Sequence, residues 1–201
     1  MKIEYHDADS IIFEFSYGQW TVKWWQWALS IPRDSNPLID RTGRNAGEDQ
    51  PNGVWFLAGI WADDYTAQDF PSRECKVPVG TSILIPILNC EADPIEYPEI
   101  TSDEDIIHHV SDQMHKVIKK ECYLNGQYII PQRVRSDPVI FELQIHNDFA
   151  RFNVGGLTRA SADGYWVFLK PLPIGSYNIR FEGSYEYGKL SSGAKYHIDV
   201  I

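Results

Sequence analysis

Cysteine is scarce in this chain: Cys75, Cys90 and Cys122 are the only three in 201 residues, and no two form a Cys-x-x-Cys pair. An odd, scattered set excludes a disulfide framework or a zinc knuckle as the organising device, and points to reduced thiols in a cytoplasmic protein. Basic residues are outnumbered, 18 Lys and Arg against 28 Asp and Glu, for a formal net charge of −10. Nucleic acid and anionic lipid both call for basic surface, so neither is expected as a partner. No apolar run approaches the ~18 residues of a membrane helix. The opening Met1-Lys-Ile-Glu-Tyr-His-Asp-Ala-Asp-Ser10 lacks the apolar core of a signal peptide. Also missing are a Gly-x-Ser-x-Gly elbow, a Walker loop, a dinucleotide fingerprint and a His-Glu-x-x-His pair, so no ready-made motif names a reaction.

What the chain has in plenty is aromatic side chains, 13% of residues with seven tryptophans. A single domain of this length buries roughly 70% of its unfolded surface and needs no staple to fold. Prolines and glycines are spread throughout, as in one β-rich domain with many turns. Two segments read as helices. The first follows Ser16-Tyr-Gly-Gln19, a capping box, and closes at Ile31-Pro32. Trp20, Trp24, Trp27 and Ala28 form its apolar stripe, and Trp25 sits about a quarter turn away. The second is expected from Ser102 to Leu124, with Ile106, Ile107, Val110, Met114, Val117 and Ile118 as its apolar face and Asn125-Gly126 as its stop.

The remaining patterned stretches read as strands. Ile11–Phe15, Val54–Leu57 and Ser82–Ile85 are short apolar runs, and 139–145 alternates after its first residues. Tyr165–Leu169, a proline-bearing break and Ser176–Phe181 give strand, turn, strand. Tyr177, Ile179 and Phe181 share one face, and Tyr196, Ile198 and Val200 repeat the alternation. Short strands between turns predict a single-domain antiparallel β-sandwich, jelly-roll or immunoglobulin-like, over residues 1–201.

Three stretches carry candidate chemistry. The loop after the tryptophan helix holds Asn36, Asp40, Thr42 and Asn45, with Gln50 beyond. Such side chains ligate hard cations or bind small ligands, and they also close turns on their own backbone. Next comes the acidic run after the most apolar strand, with Glu91, Asp93 and Glu96. Paired carboxylates there suit acid/base work or a divalent ion, whereas the plainer reading is a solvated loop. Third, His108, Asp112 and His115 fall at i, i+4 and i+7 on one face of the second helix, a spacing that suits a metal and equally suits an ordinary polar face. The tryptophan stripe reads as core, leaving Trp25 as a ligand contact.

Several blocks resemble a family of uncharacterised bacterial and archaeal proteins. They are Trp24-Trp-Gln-Trp-Ala-Leu-Ser-Ile-Pro32 with Asn36-Pro37 and Asp40-Arg-Thr-Gly43, then Val54-Trp-Phe-Leu-Ala-Gly59 and Arg73-Glu-Cys-Lys-Val-Pro-Val-Gly80. Ile85-Pro-Ile-Leu-Asn-Cys-Glu91 and Asp163-Gly-Tyr-Trp-Val-Phe-Leu169 complete the set, which spans most of the chain. The resemblance supplies relatives without an activity. Members often carry a cysteine soon after the Thr-Gly pair as partner for the one in Arg-x-Cys. Asn45-Ala46 stands there instead, so the resemblance implies an unpaired Cys75.

The leading expectation is a binding protein whose pocket lies where the tryptophan helix and its loop meet the sheet. Its ligand contacts are Trp25, Asn36, Asp40, Gln50, Arg73, Asn89 and Glu91. A divalent metal ion is an alternative occupant, on Glu91 and Asp93 or on His108, Asp112 and His115. The competing classes are a metal-assisted hydrolase using the acidic run, and an oligomer-forming protein with no small ligand.

Overall fold

Ser16 starts the first helix as its spacing predicts. Its hydroxyl accepts the Gln19 N–H at 3.1 Å, and Gln19 Oε1 accepts the Ser16 N–H at 2.8 Å. The helix, α1, runs Tyr17–Ser30 and stops at Ile31, the residue before Pro32. The computed structural model describes residues 3–60, 70–149, 154–185 and 191–201.

Ahead of α1 lies a two-residue hairpin, β1 (Ile11–Ile12) and β2 (Phe15–Ser16). Beyond α1 come β3 (Val54–Phe56), β4 (Ser72–Val77) and β5 (Ser82–Ala92). The second helix, α2 (Asp103–His115), precedes β6 (Val117–Leu124), β7 (Gln127–Ile129), β8 (Gln132–Arg135) and β9 (Phe141–Ile145). Three long strands complete the chain: β10 (Gly156–Leu169), β11 (Gly175–Tyr185) and β12 (Ser191–Val200).

The mainly β expectation holds. One five-stranded sheet has the order β3-β5-β10-β8, with β9 pairing the start of β10; the other has the order β4-β12-β11-β6-β7. Most pairings are antiparallel, but β3 joins β5 and β4 joins β12 in parallel. The centre of the first sheet, β5 and the second half of β10, is buried on both faces. Ile83, Ile85, Ile87, Val167 and Leu169 pack with the second sheet's Cys122, Ile179, Phe181 and Ile198. Leu84, Trp166 and Phe168 pack with the α1 tryptophans. The result is three layers, helix on sheet on sheet, and a strand with two buried faces reads as the unbroken apolar run of β5. The sheets approach closely at Gly183, where an added Cβ would stand 2.5 Å from the Leu88 Cβ.

Two sequence expectations change. The segment 102–124 is a helix only to His115. Val117–Leu124 is instead a strand beside β11, and Asn125-Gly126 is the two-residue turn joining it to β7. Both turn residues have positive φ, 49° and 80°, as that hairpin requires. Sheet pairing thus overrode a helical continuation. Similarly, Ile11–Phe15 is no single strand, because Phe13 and Glu14 turn the chain back at φ 48° and 71°.

Trp20, Trp24 and Trp27 are core residues, and each indole N–H reaches a backbone carbonyl, of Ile12, Leu57 and Glu48 respectively, at 2.8 Å. Trp24, 2% exposed, meets Trp25, Trp27 and Trp166 with ring centroids 5.0–6.0 Å apart. Trp24→Ala is expected to destabilise the fold by ~3–5 kcal/mol in urea unfolding. A loss under about 1 kcal/mol, the scale of surface substitutions, would contradict its place in the core.

Candidate functional site

The site is built at the far end of β5, where the apolar run gives way to Asn89-Cys-Glu-Ala-Asp93. Pairing with β10 slips between Tyr165 and Trp166, leaving Ile87 as an extra residue on β5. Such a bulge re-aims the side chains beyond it. Past that point Asn89 pairs with Gly164 and Glu91 with Ala162, a residue of the α1-side core. Directly paired residues share a sheet face, so Glu91 is carried toward the helix. Gly164 is required there: a Cβ would meet the Asn89 Cβ at 2.5 Å and the Trp166 Nε1 at 2.8 Å.

After Ala92 the chain turns tightly. Asp93 Oδ1 accepts the Ile95 N–H at 2.6 Å and the Glu96 N–H at 3.3 Å, and the Asp93 carbonyl accepts the Tyr97 N–H at 2.9 Å. This turn folds Glu96 back onto the strand end. One carboxylate oxygen from each of Glu91, Asp93 and Glu96 then lies within 4.8 Å of the other two.

Glu91 and Glu96 line a cavity of about 760 Å3; Asp93, behind them, does not. Trp25 and Leu29 of α1, Tyr97, and His109 and Gln113 of α2 contribute to its wall, with Ser191 at the start of β12. The Tyr97 and His109 rings meet at 4.6 Å, and burial lowers the His109 pKa. Trp25 is 6% exposed and, unlike the other three α1 tryptophans, has no acceptor for its N–H among the described residues. Asn89 Nδ2, Glu91 Oε1 and Ser191 Oγ are likewise buried without a partner among them, and all three residues line the same cavity. Trp55 and Trp166 also lack acceptors, but neither lines it.

The other buried acids among the described residues are neutralised. Asp163 faces Arg133 at 2.7 Å, and Glu182 faces Lys119 at 2.7 Å. Glu91, 5% exposed, and Asp93, 0% exposed, face no cation among the described residues. Burial, then the charges of Asp93 and Glu96, hold the Glu91 pKa well above its ordinary range. Burial also raises that of Asp93, against the two backbone N–H groups it accepts and its side-chain hydrogen bonds with Glu91 and Thr158.

Of the expected ligand contacts, Trp25, Asn89 and Glu91 line the cavity, and Asn36, Asp40, Gln50 and Arg73 do not. Their polar atoms serve the backbone instead. Asn36 donates to the carbonyls of Ala28 and Ile31 at 2.7 and 3.0 Å, closing the C-terminus of α1. Asp40 accepts from the N–H groups of Thr42 and Asn45, each at 2.8 Å, and from the Thr42 hydroxyl. Burial opposes its charge, but these bonds and Arg73 outweigh it and lower the pKa. Gln50 bonds the N–H and carbonyl of Phe56 and the carbonyl of Ala46. Arg73 is buried, donating to the carbonyls of Asp40 and Ala58 and to the Tyr196 hydroxyl. Leu38 and Ile39 of the Asp40 loop line the same cavity as the end of the Glu91 strand.

His108, Asp112 and His115 are exposed on α2, and the acid group that converges does not include them. Nor do the thiols offer a nucleophile. All three are free; burial pushes Cys75 and Cys122 up to about 12 and raises Cys90 further. Glu96, Tyr97 and Ser191 complete the site beyond the expected set. Glu96 was signalled by its place in Glu-x-Asp-x-x-Glu; Ser191 arrives from a distant strand and carries no local signal.

The raised Glu91 pKa fixes a pH dependence. The unfolded chain releases this proton near the ordinary 4.5, while the folded chain keeps it to higher pH. Across that window the native state binds more protons, so stability falls as pH rises. Chelator-treated protein is expected to show a higher urea midpoint at pH 5.5 than at pH 8, with the slope flattened in Glu91→Gln. Equal slopes in the two proteins would remove Glu91 as the source.

No helix among the described residues is long and apolar enough to cross a membrane. No family model, no curated protein and no solved structure matches the chain.

Proposed function

We propose that the chain is a binding protein for a small polar molecule, held in the cavity between α1, the end of β5 and α2. One observation carries the reading: Trp25 alone among the four α1 tryptophans has no acceptor for its N–H among the described residues, and it lines the cavity. A buried donor left unmade costs ~1–3 kcal/mol, so a site that fills it gains from occupancy. Asn89 Nδ2 adds a second free donor and Glu91 Oε1 a free acceptor in the same wall. Trp25, Leu29 and Phe149 supply apolar surface between them. A concave wall that mixes aromatic and aliphatic side chains with polar groups is a usual make-up of a small-molecule site. The fitting ligand has an apolar body, an acceptor end for Trp25 and Asn89, and a donor or cationic end for Glu91.

Native mass spectrometry of protein taken directly from cells is expected to show a small-molecule mass excess. Trp25→Phe, which keeps the ring and removes the N–H, and Asn89→Leu should each reduce it. Asp40→Asn, whose carboxylate is occupied within its own loop, should leave it intact. A clean apo mass for the wild type, with no thermal shift across a panel of polar metabolites, would sink the reading.

A further inference from the structure

We infer that the cavity takes a short free peptide, paired as an added strand along the open edge of β5 at Asn89 and Glu91. The inference rests on the binding reading above and names its ligand class.

β5 is partnered unequally on its two edges. β10 runs beside it from Ile83 to Ala92, whereas β3 accompanies only Ser82–Leu84. The Leu57 N–H still reaches the Leu84 carbonyl at 2.9 Å, but Pro86 has no N–H to continue the ladder. The chain then leaves β5, and the Ile60 N–H meets the Gly193 carbonyl of β12 at 3.3 Å. Beyond that departure Pro86, Leu88, Asn89, Cys90 and Glu91 line the cavity.

Alternation decides which main-chain groups face outward. Ala162 turns its carbonyl away from β5, accepting the Ser136 N–H just after β8 at 2.9 Å. Its neighbours Ser161 and Asp163 therefore turn theirs toward β5, where they pair with Ala92 and Cys90. Asn89 and Glu91 direct their N–H and carbonyl groups to the other edge. The Tyr185 hydroxyl reaches the Asn89 carbonyl, and the Cys90 thiol the Glu91 carbonyl, only at 3.5 Å. Neither N–H has an acceptor among the described residues. Glu91 is buried, and a buried main-chain N–H left unpaired is rare in a folded protein.

An extended peptide repeats its N–H and carbonyl groups at the same ~3.3 Å per residue as the strand, so one ligand serves Asn89 and Glu91 together. Its further carbonyls are acceptors for the unmatched donors of Trp25 and the Asn89 side chain. An added strand continues the sheet, so its side chains fall alternately toward the two helices. Trp25 and Leu29 line the cavity on the α1 side, His109 and Gln113 on the α2 side. The fitting sequence alternates apolar and polar residues.

The test uses the full chain and a pool of free tetrapeptides of that alternating pattern, read by native mass spectrometry. A tetrapeptide is expected to be retained at one per chain. Remaking it with one backbone N-methyl group at a time should weaken binding about fivefold or more at alternate positions, where a pairing donor is lost. Glu91→Pro and Glu91→Ala both lack the carboxylate and differ at the main-chain N–H. The proline variant should bind more weakly than the alanine variant, since its ring occupies the outward edge and leaves the β10 ladder intact. Where circular dichroism shows that the proline variant does not fold, the N-methyl series decides. Asp112→Asn, on the exposed side of α2, should bind as wild type. No retained tetrapeptide, or one indifferent to N-methylation at every position, overturns the inference, as does equal affinity in folded proline and alanine variants. A polar metabolite bound through Trp25, with no peptide retained, overturns it and leaves the binding reading standing. A clean apo mass against metabolites and peptides alike removes both.

Discussion

The centre of the first sheet, β5 and the second half of β10, has little face left for water, and the rest of the structure answers to that constraint. β5 and β10 carry large apolar side chains on both sides, Ile83 and Ile85 toward the second sheet and Leu84 and Phe168 toward α1. Each side needs a cover. The second sheet supplies one, and Trp20, Trp24 and Trp27 supply the other from a single helix stripe. Indoles bring large area, but each also brings an N–H that must be matched once buried. The fold matches three of them with carbonyls from three different segments: the hairpin before α1, the chain after β3, and the long loop. The helix therefore fastens the loop and the sheet as well as hiding the sheet's face.

The candidate site lies where the strand outruns this arrangement. Past the Ile87 bulge β5 carries Asn89 and Glu91, with Gly164 and Ala162 opposite. Gly164 lets Asn89 and Trp166 approach closely, and Asn89 and Glu91 line the cavity with Trp25 and Leu29 of the helix. The Trp25 N–H has no acceptor among the described residues. A bulge, a glycine and one displaced tryptophan are enough to turn a core boundary into a polar pocket.

The parts legible in the sequence were those with local causes. Ser16 and Gln19 announce the start of α1 and Pro32 its end, because a capping box and a pre-proline residue act on their immediate neighbours. Glu91 stood out because an acid at the end of an apolar strand needs a reason. The end of α2 was hidden: Val117 and Ile118 fit the helical stripe as well as a strand, and pairing with β11, some sixty residues later in the chain, decided between them. Asn36, Gln50 and Arg73 misled for a related reason. A polar side chain in a loop looks the same whether it meets a ligand or a backbone carbonyl, and only the fold shows that the helix end, β3 and the Ala58 carbonyl are within reach. Ser191 had no signal at all, since its place depends on β12 crossing to the cavity.

Asp163 and Glu91 pose the same physical problem and receive opposite answers. Both are acids within the paired β5 and β10 segment, and both are buried. Asp163 is met by Arg133 from the adjacent β8, a neutralisation available inside the sheet. Glu91 pairs with alanine and has Asp93 two residues on, and burial together with the charges of Asp93 and Glu96 raises its pKa. Two backbone N–H groups fix the turn around Asp93. One buried acid is thus answered by a guanidinium, the other by keeping its proton and sharing a hydrogen bond with the carboxylate beside it.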